Sequence, residues 1–339
     1  MDAPYVPGAR VSADLLDSPS MSIVVTGGAG YIGSHVVRAF GLAGLDCVVV
    51  DDLSSGHREF VPADVPFVEA SLLDTAALEA TMADYDVQAV VHLAGYKYAG
   101  VSVERPLHTY EQNVQGTVSL LQAMDRSGVD AIVFSSSAAT YGTPDVDIVT
   151  EETPTAPESP YGETKLIGEW LLRDAERSGG TRHTSLRYFN VVGSAVPELY
   201  DSSPHNLFPV VIKALREGRT PRINGDDYDT PDGTCVRDYV HVADLAEAHV
   251  VAARALLEGR DLERVYNLGC GDGVSVRQIM DAAREVSDID FTPEIGPRRP
   301  GDPARIVAAG ELAARDLDWE VRHSLVDMFR SAWDAGPQA

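Results

Sequence analysis

Residues 22–26 form a short apolar run, Ser-Ile-Val-Val-Thr, that ends in Gly27-Gly28-Ala29-Gly30-Tyr31-Ile32-Gly33. No other segment limits the chain's options so far. Gly28, Gly30 and Gly33 satisfy a G-x-G-x-x-G spacing, and Gly27, Gly30 and Gly33 satisfy G-x-x-G-x-x-G. Both spacings serve one need. The backbone must turn tightly and approach a pyrophosphate at a helix N-terminus, and the last glycine lets helix and strand pack closely. Ile32, Val36, Val37, Phe40 and Leu45 then recur near a helical period, and 47–50 is a second apolar run. Strand, turn, helix and strand in this order open a doubly wound α/β sheet. Asp51 follows about 20 residues past the motif, where a carboxylate bonds adenosine ribose hydroxyls and opposes a 2′-phosphate. The pattern favours NAD.

The same rhythm continues along the chain. Strand candidates lie near 65–69, 89–93, 131–135, 184–188 and 264–268, alternating with helical stretches near 74–83, 105–127, 160–177 and 242–258. Polar segments broken by Gly and Pro at 193–206, 224–235 and 291–303 interrupt it and read as loops over a ligand cleft. The expected organisation is a disordered extension, 1–20, then a dinucleotide-binding domain, 21–190, to which 236–268 returns. Residues 191–235 and 269–335 are expected to build a smaller α/β domain for the substrate.

Composition narrows the partners. A formal charge of −25 repels phosphate backbones, so nucleic acid is excluded and any phosphate site must be built locally. No apolar run approaches the ~20 residues of a membrane helix, and 1–20 lacks the basic start and apolar stretch of a signal peptide. Cys47, Cys235 and Cys270 are odd in number and scattered, which suits a reducing cytoplasm and offers no metal spacing. Only Lys97, Lys165 and Lys213 among the 27 basic residues are lysines, so each retained Lys is informative.

One of them falls four residues after Tyr161, in Tyr-Gly-Glu-Thr-Lys, and thus shares its helix face. Pro157 and Pro160 suit the start of that helix. A phenol with a pKa of about 10 becomes a base near neutrality only if its anion gains roughly 4 kcal/mol. The Lys165 ammonium, with a positive nicotinamide ring, is expected to supply that field. Ser137 closes a Ser135-Ser136-Ser137 run at the end of an apolar strand, where doubly wound sheets place ligands. Its hydroxyl is positioned to bond a substrate oxygen and relay the proton. His35, near the motif helix, reads as a surface or partly buried histidine.

Taken together, these motifs resemble the extended short-chain dehydrogenase/reductases, in the branch that epimerises UDP-hexoses. The likeness runs from about residue 21 to 330. It includes Phe134-Ser-Ser-Ser-Ala-Ala-Thr-Tyr-Gly142, Ser159-Pro-Tyr-Gly-Glu-Thr-Lys165, Leu186-Arg-Tyr-Phe-Asn190, Val236-Arg-Asp-Tyr-Val-His241 and Arg298-Arg-Pro-Gly-Asp302. It implies a Rossmann-type fold, NAD that stays bound, and interconversion of UDP-glucose and UDP-galactose through a 4-keto sugar. Ser137, Tyr161 and Lys165 are the implied catalytic residues. Gly27, Gly30, Tyr31, Ile32, Gly33, Asp51, Ser71, Lys97, Asn113, Tyr188 and Phe189 are implied at the cofactor. Lys97, Asn190, Asn206, Leu207, Arg237, Arg299 and Asp302 are implied at the substrate.

Three positions depart from the family pattern. Ala70-Ser71 replaces an Asp for the adenine amine, Asn224 replaces a Phe near the uracil, and Ile306 stands at the wall that admits or rejects an N-acetyl group. Ala138-Ala139 lacks the acid that a 4,6-dehydratase needs after the strand-end hydroxyl. Another UDP-sugar epimerase, a simple dehydrogenase and a catalytically silent NAD-binding protein remain as alternatives. The family pairs two helices per subunit in a homodimer. Val114, Val118, Leu121, Leu166, Trp170 and Leu171 serve either such a seam or the subunit's own sheet.

Overall fold

Seven parallel strands form the central sheet, in the spatial order Val265–Leu268, Arg182–Tyr188, Ala131–Ser135, Val87–His92, Ser22–Thr26, Asp46–Asp51 and Phe67–Glu69. The structure, a computed structural model, describes residues 22–299 and 303–337; the extension 1–20 and Asp302 lie outside the described residues. Side chains alternate between two cores, as the two-residue period of a strand requires. Ile23, Val25 and Val49 join Val36, Val37 and Phe40 of the helix Tyr31–Leu42, together with the helix Val242–Leu257. Val24, Val48 and Val50 face Leu78, Leu120, Met124 and Leu172 on the other side. Burial on both faces explains the near-continuous apolar strands.

Strand order reverses between Ser22–Thr26 and Val87–His92, so their two following loops part and open a crevice. Gly27 turns the chain at φ 73°, and a Cβ on it would lie 2.6 Å from the Ala94 nitrogen. At Gly33 a Cβ would lie 2.0 Å from the Gly27 oxygen, so the helix starts tight against its own turn. A Cβ at Gly28 would lie 2.8 Å from Val49 of the neighbouring strand.

The stretch 105–127 is helical as expected, with a π-helical turn Glu111–Gln115 joining Pro106–Tyr110 to Gly116–Ser127. One sequence expectation is corrected: 291–303 is not wholly loop. Glu294–Gly296 pairs in parallel with Arg222–Asn224, and periodicity cannot reveal three-residue strands.

A third core gathers Phe208, Val211 and Ile212 of the helix Leu207–Arg216 with Ile279, Met280 and Phe329. It stands beside the small strand pair Asn190–Val192 and Tyr239–His241, whose Val192 and Tyr239 it includes. Among the described residues, no helix is long and apolar enough to cross a membrane.

The contact at Gly33 yields a prediction. Gly33→Ala is expected to lower stability by about 1–3 kcal/mol through overpacking and to strip bound dinucleotide. Thermal unfolding and cofactor content after gel filtration check both.

Candidate active site

A cleft of about 880 Å³ opens at the carboxyl edge of the sheet, along the crevice. Most sequence-predicted residues line it: Gly27, Gly30, Tyr31, Ile32, Gly33, Asp51, Lys97, Tyr161, Lys165, Tyr188, Phe189, Asn190, Asn206, Leu207, Arg237 and Arg299. Ser71, Asn113 and Ser137 stand off the lining.

At one end the helix Tyr31–Leu42 begins with Gly30 as its N-cap and with no side-chain cap bond. Its first N–H groups, which no helix can satisfy internally, are thus left to whatever enters the cleft. Asp51 accepts the Ala29 N–H at 3.0 Å and the Leu53 N–H at 2.9 Å, so it braces the glycine turn. Burial pushes its carboxyl up and those two bonds oppose the rise. An open helix end and a braced carboxylate fit a dinucleotide's pyrophosphate and ribose. Ser71 turns away, its Oγ accepting the Leu73 N–H at 3.2 Å.

The walls are held by histidines. Thr117 donates to the Asn113 carbonyl at 2.6 Å, so it accepts from His92 Nε2–H at 3.1 Å, and His92 Nδ1 accepts from Thr26 at 2.8 Å. This chain ties the first strand to the π-helical turn. Asn113 then clamps the crevice loop. Its Oδ1 accepts the Tyr96 N–H at 2.6 Å, and its Nδ2 reaches the Tyr96 carbonyl at 3.0 Å and Thr164 at 2.9 Å. Asn113 therefore shapes the wall from behind. His35, expected near the surface, is 2% exposed. Its Nε2 accepts the Ala195 N–H at 3.1 Å, and its Nδ1 donates to the Tyr31 carbonyl at 2.8 Å.

Tyr161 and Lys165 rise into the cleft from the first turns of the helix Pro160–Gly179, which starts with Ser159 as N-cap and Pro160 at its first position. Ser137 lies near enough to the Tyr161 phenol to oppose the rise that burial imposes on it, while its Oγ accepts the Ala139 N–H at 3.1 Å. The sequence leads one to expect Lys165 to depress the phenol. Lys165 Nζ donates to the Ser135 carbonyl at 2.9 Å and stands 5.9 Å from the Tyr161 ring centroid. Burial dominates Tyr161 and raises its pKa. Lys165 itself is pulled down to about 8 by burial, opposed by Glu169.

The lining also carries positive charge, alongside the acids Asp51, Asp52 and Asp201. Lys97, Arg105, Arg222, Arg237 and Arg299 line the cleft of a chain whose net charge is −25. Arg237 reaches the Val236 and Pro303 carbonyls at 2.7 Å each, and its neighbour Asp238 receives the Cys270 and Ala308 N–H groups at 3.0 Å. Arg298, beside Arg299, is instead paired with Asp227 at 2.6 Å. Asn190 donates to the Asp238 carbonyl at 2.9 Å and Asn206 to Asp201 at 2.7 Å. Asn206 also begins the helix Leu207–Arg216 without capping it, so a second helix end faces the cleft. Arg105, Arg222 and His92 are missing from the sequence reading. His92 alone carried a signal, as a polar residue closing an apolar run at the same sheet edge as Ser137. Among the described residues no group of acids, histidines and cysteines is arranged to hold a metal.

Residues 23–269 match the NAD dependent epimerase/dehydratase family. The chain is 44% identical over 318 residues to a UDP-glucose 4-epimerase of Azospirillum brasilense, covering 92% of this chain and 91% of that one. The UDP-glucose 4-epimerase of Brucella ovis, solved in complex with NAD, superposes with a TM-score of 0.89 at 40% identity, covering 92% of this chain and 97% of its own. That of Bifidobacterium longum, solved with NAD+ and UDP, gives 0.83 at 36% identity, covering 93% and 97%.

The buried rings predict acid sensitivity. An unfolded chain binds protons at His35, His92 and His249 from about pH 6.5 downward. The folded chain does so only below about 4, or about 3 for His92. Stability present above pH 6.5 is therefore lost as pH falls toward 4, by roughly 1 kcal/mol per pH unit for each ring. Thermal midpoints at about pH 7 and about pH 5 test this; an unchanged midpoint would contradict the neutral rings.

Proposed function

The chain belongs to the NAD dependent epimerase/dehydratase family, and from that premise we propose that its cleft interconverts UDP-glucose and UDP-galactose, inverting C4 through a transient 4-keto sugar. It is an isomerase with NAD as its cofactor. One observation carries the substrate reading: Tyr161 and Lys165 share a single cleft with an open helix end beside Asp51 and with an Arg cluster at a second helix end. That is room for two nucleotide-bearing ligands and one proton-transfer group between them.

Each residue then has a task. Arg222, Arg237, Arg299 and the start of Leu207–Arg216 grip the UDP diphosphate, local cations overcoming the field of an acidic surface. Binding energy on the nucleotide leaves the sugar able to present either face. Tyr161 takes the proton from the C4 hydroxyl and returns it after the sugar has turned, and Ser137 orients that hydroxyl. Gly27, Gly30, Gly33 and Asp51 hold the dinucleotide. NAD held there would supply the acceptor and donor of the C4 hydride and a positive ring beside the Tyr161 phenol. Lys165 keeps a cation over the ring of Tyr161. Residues 191–235 and 269–335 serve as the substrate domain around the third core.

The same reading extends to assembly and location. Val103, Leu107 and Trp170 are 62%, 83% and 47% exposed on the helices Ala99–Glu104, Pro106–Tyr110 and Pro160–Gly179. These apolar side chains form the homodimer seam. Leu166 is buried and Leu121 packs on the sheet core, so those two sequence candidates serve the subunit instead. Three free cysteines suit a reducing cytoplasm.

Incubation with UDP-galactose and no added NAD is expected to yield UDP-glucose without stoichiometric NADH. Tyr161→Phe should lower turnover by about 10²–10⁴-fold. Full activity in that variant would exclude the phenol as base. Leu107→Glu with Trp170→Glu should convert dimer to monomer in sedimentation velocity.

A further inference from the structure

The helix Pro160–Gly179 carries a third polar side chain on the face of Tyr161 and Lys165. Glu169 follows Lys165 at i+4 and Tyr161 at i+8, so the three form one stripe over successive turns. Glu169 is 7% exposed, a placement that is strongly unfavourable for an unpaired carboxylate. Its partners are close. Arg187 Nε donates to Oε1 at 2.8 Å and Arg187 Nη2 to Oε2 at 2.5 Å, a bidentate fork from the strand Arg182–Tyr188. Ser136 donates to Oε1 at 2.5 Å. Arg187 is in turn stacked 4.7 Å over the ring of Tyr141, whose hydroxyl donates to Asn267 at 2.8 Å.

The stripe thus bonds the end of Ala131–Ser135 and the residue after it. The Ser135 carbonyl accepts Lys165 and the Ser136 hydroxyl donates to Glu169, with Ser137 next in line opposing the rise of Tyr161. Neither Glu169 nor Arg187 lines the cleft. We propose that Glu169, clamped by Arg187 and Ser136, is a positioning residue that keeps Lys165 charged and seated over Tyr161 inside a buried site. This inference rests on the reading of Tyr161 and Lys165 given above.

The surroundings leave that task to Glu169. Lys165 is 7% exposed, and burial draws down its pKa while Glu169 opposes the fall. His92 also faces Lys165, from Val87–His92, but burial and Lys165 itself lower it to about 3, so it stays neutral. Tyr188, on Arg182–Tyr188, is pushed up by burial and by Tyr161, and it too stays neutral. Tyr161 is raised on the same helix. His183 faces Glu169 from Arg182–Tyr188 and is lowered by burial. No second anion opposes burial at Lys165 among these described groups.

The chain's three lysines make the test direct. Holoenzyme labelled at lysine ¹³Cε is titrated by NMR, with the Lys165 signal assigned by its loss in Lys165→Met. Glu169→Gln should move the Lys165 midpoint down by about one pH unit, and the alkaline limb of kcat with it. Its deficit should then grow to about tenfold at high pH and narrow toward pH 6. Glu169→Asp should restore the limb. If Glu169→Gln fails to fold, Ser136→Ala, which loosens the carboxylate, should move the midpoint in the same direction by less. An unmoved Lys165 midpoint, or a deficit constant across pH, overturns the proposal. A fully active Tyr161→Phe would overturn the site reading and this inference with it. An inactive Tyr161→Phe beside an unmoved midpoint overturns this inference alone.

Discussion

The approach of the helix Pro160–Gly179 to the end of Ala131–Ser135 is the contact on which the site depends. A Cβ at Gly168 would lie 2.6 Å from the Phe134 ring, so only glycine lets the helix descend this far. That descent brings Lys165 Nζ to 2.9 Å from the Ser135 carbonyl and 5.0 Å from the ring of Phe134. An ammonium desolvated there loses hydration, and one carbonyl and one aromatic face restore only part of it. Paired charge further along the helix is the remaining compensation. Packing, burial and proton chemistry are consequences of one interhelical-to-sheet distance.

A second constraint is global. A surface with a formal charge of −25 disfavours anionic ligands at long range. The cleft answers it with short-range devices, helix ends and guanidinium groups, whose strength comes from geometry rather than from net charge. Asp51 braces the glycine turn through the Ala29 and Leu53 N–H groups.

Much of this was legible in the chain. The glycine turn, Asp51 and the Tyr161–Lys165 pair are local patterns, and spacing alone places their side chains on one turn or one face. Seven of the strands follow from apolar runs bounded by turn residues, as their positions in the sheet bear out. The π-helical turn at Glu111–Gln115 was hidden because its cause is tertiary, the clamp of Asn113 on Tyr96 and Thr164. Arg222 was hidden because a three-residue strand has no period, and its pairing with Glu294–Gly296 spans distant sequence.

Residue order by itself determined the doubly wound sheet, the glycine turn and the shared helix face of Tyr161 and Lys165, because these depend on backbone periodicity and on neighbours within two turns. Only the tertiary structure decided their charge states. Whether Tyr161 is raised, Lys165 lowered and His35 neutral depends on burial and on partners brought from other strands. Solvation is a property of the assembled interior, and no local pattern of residues encodes it.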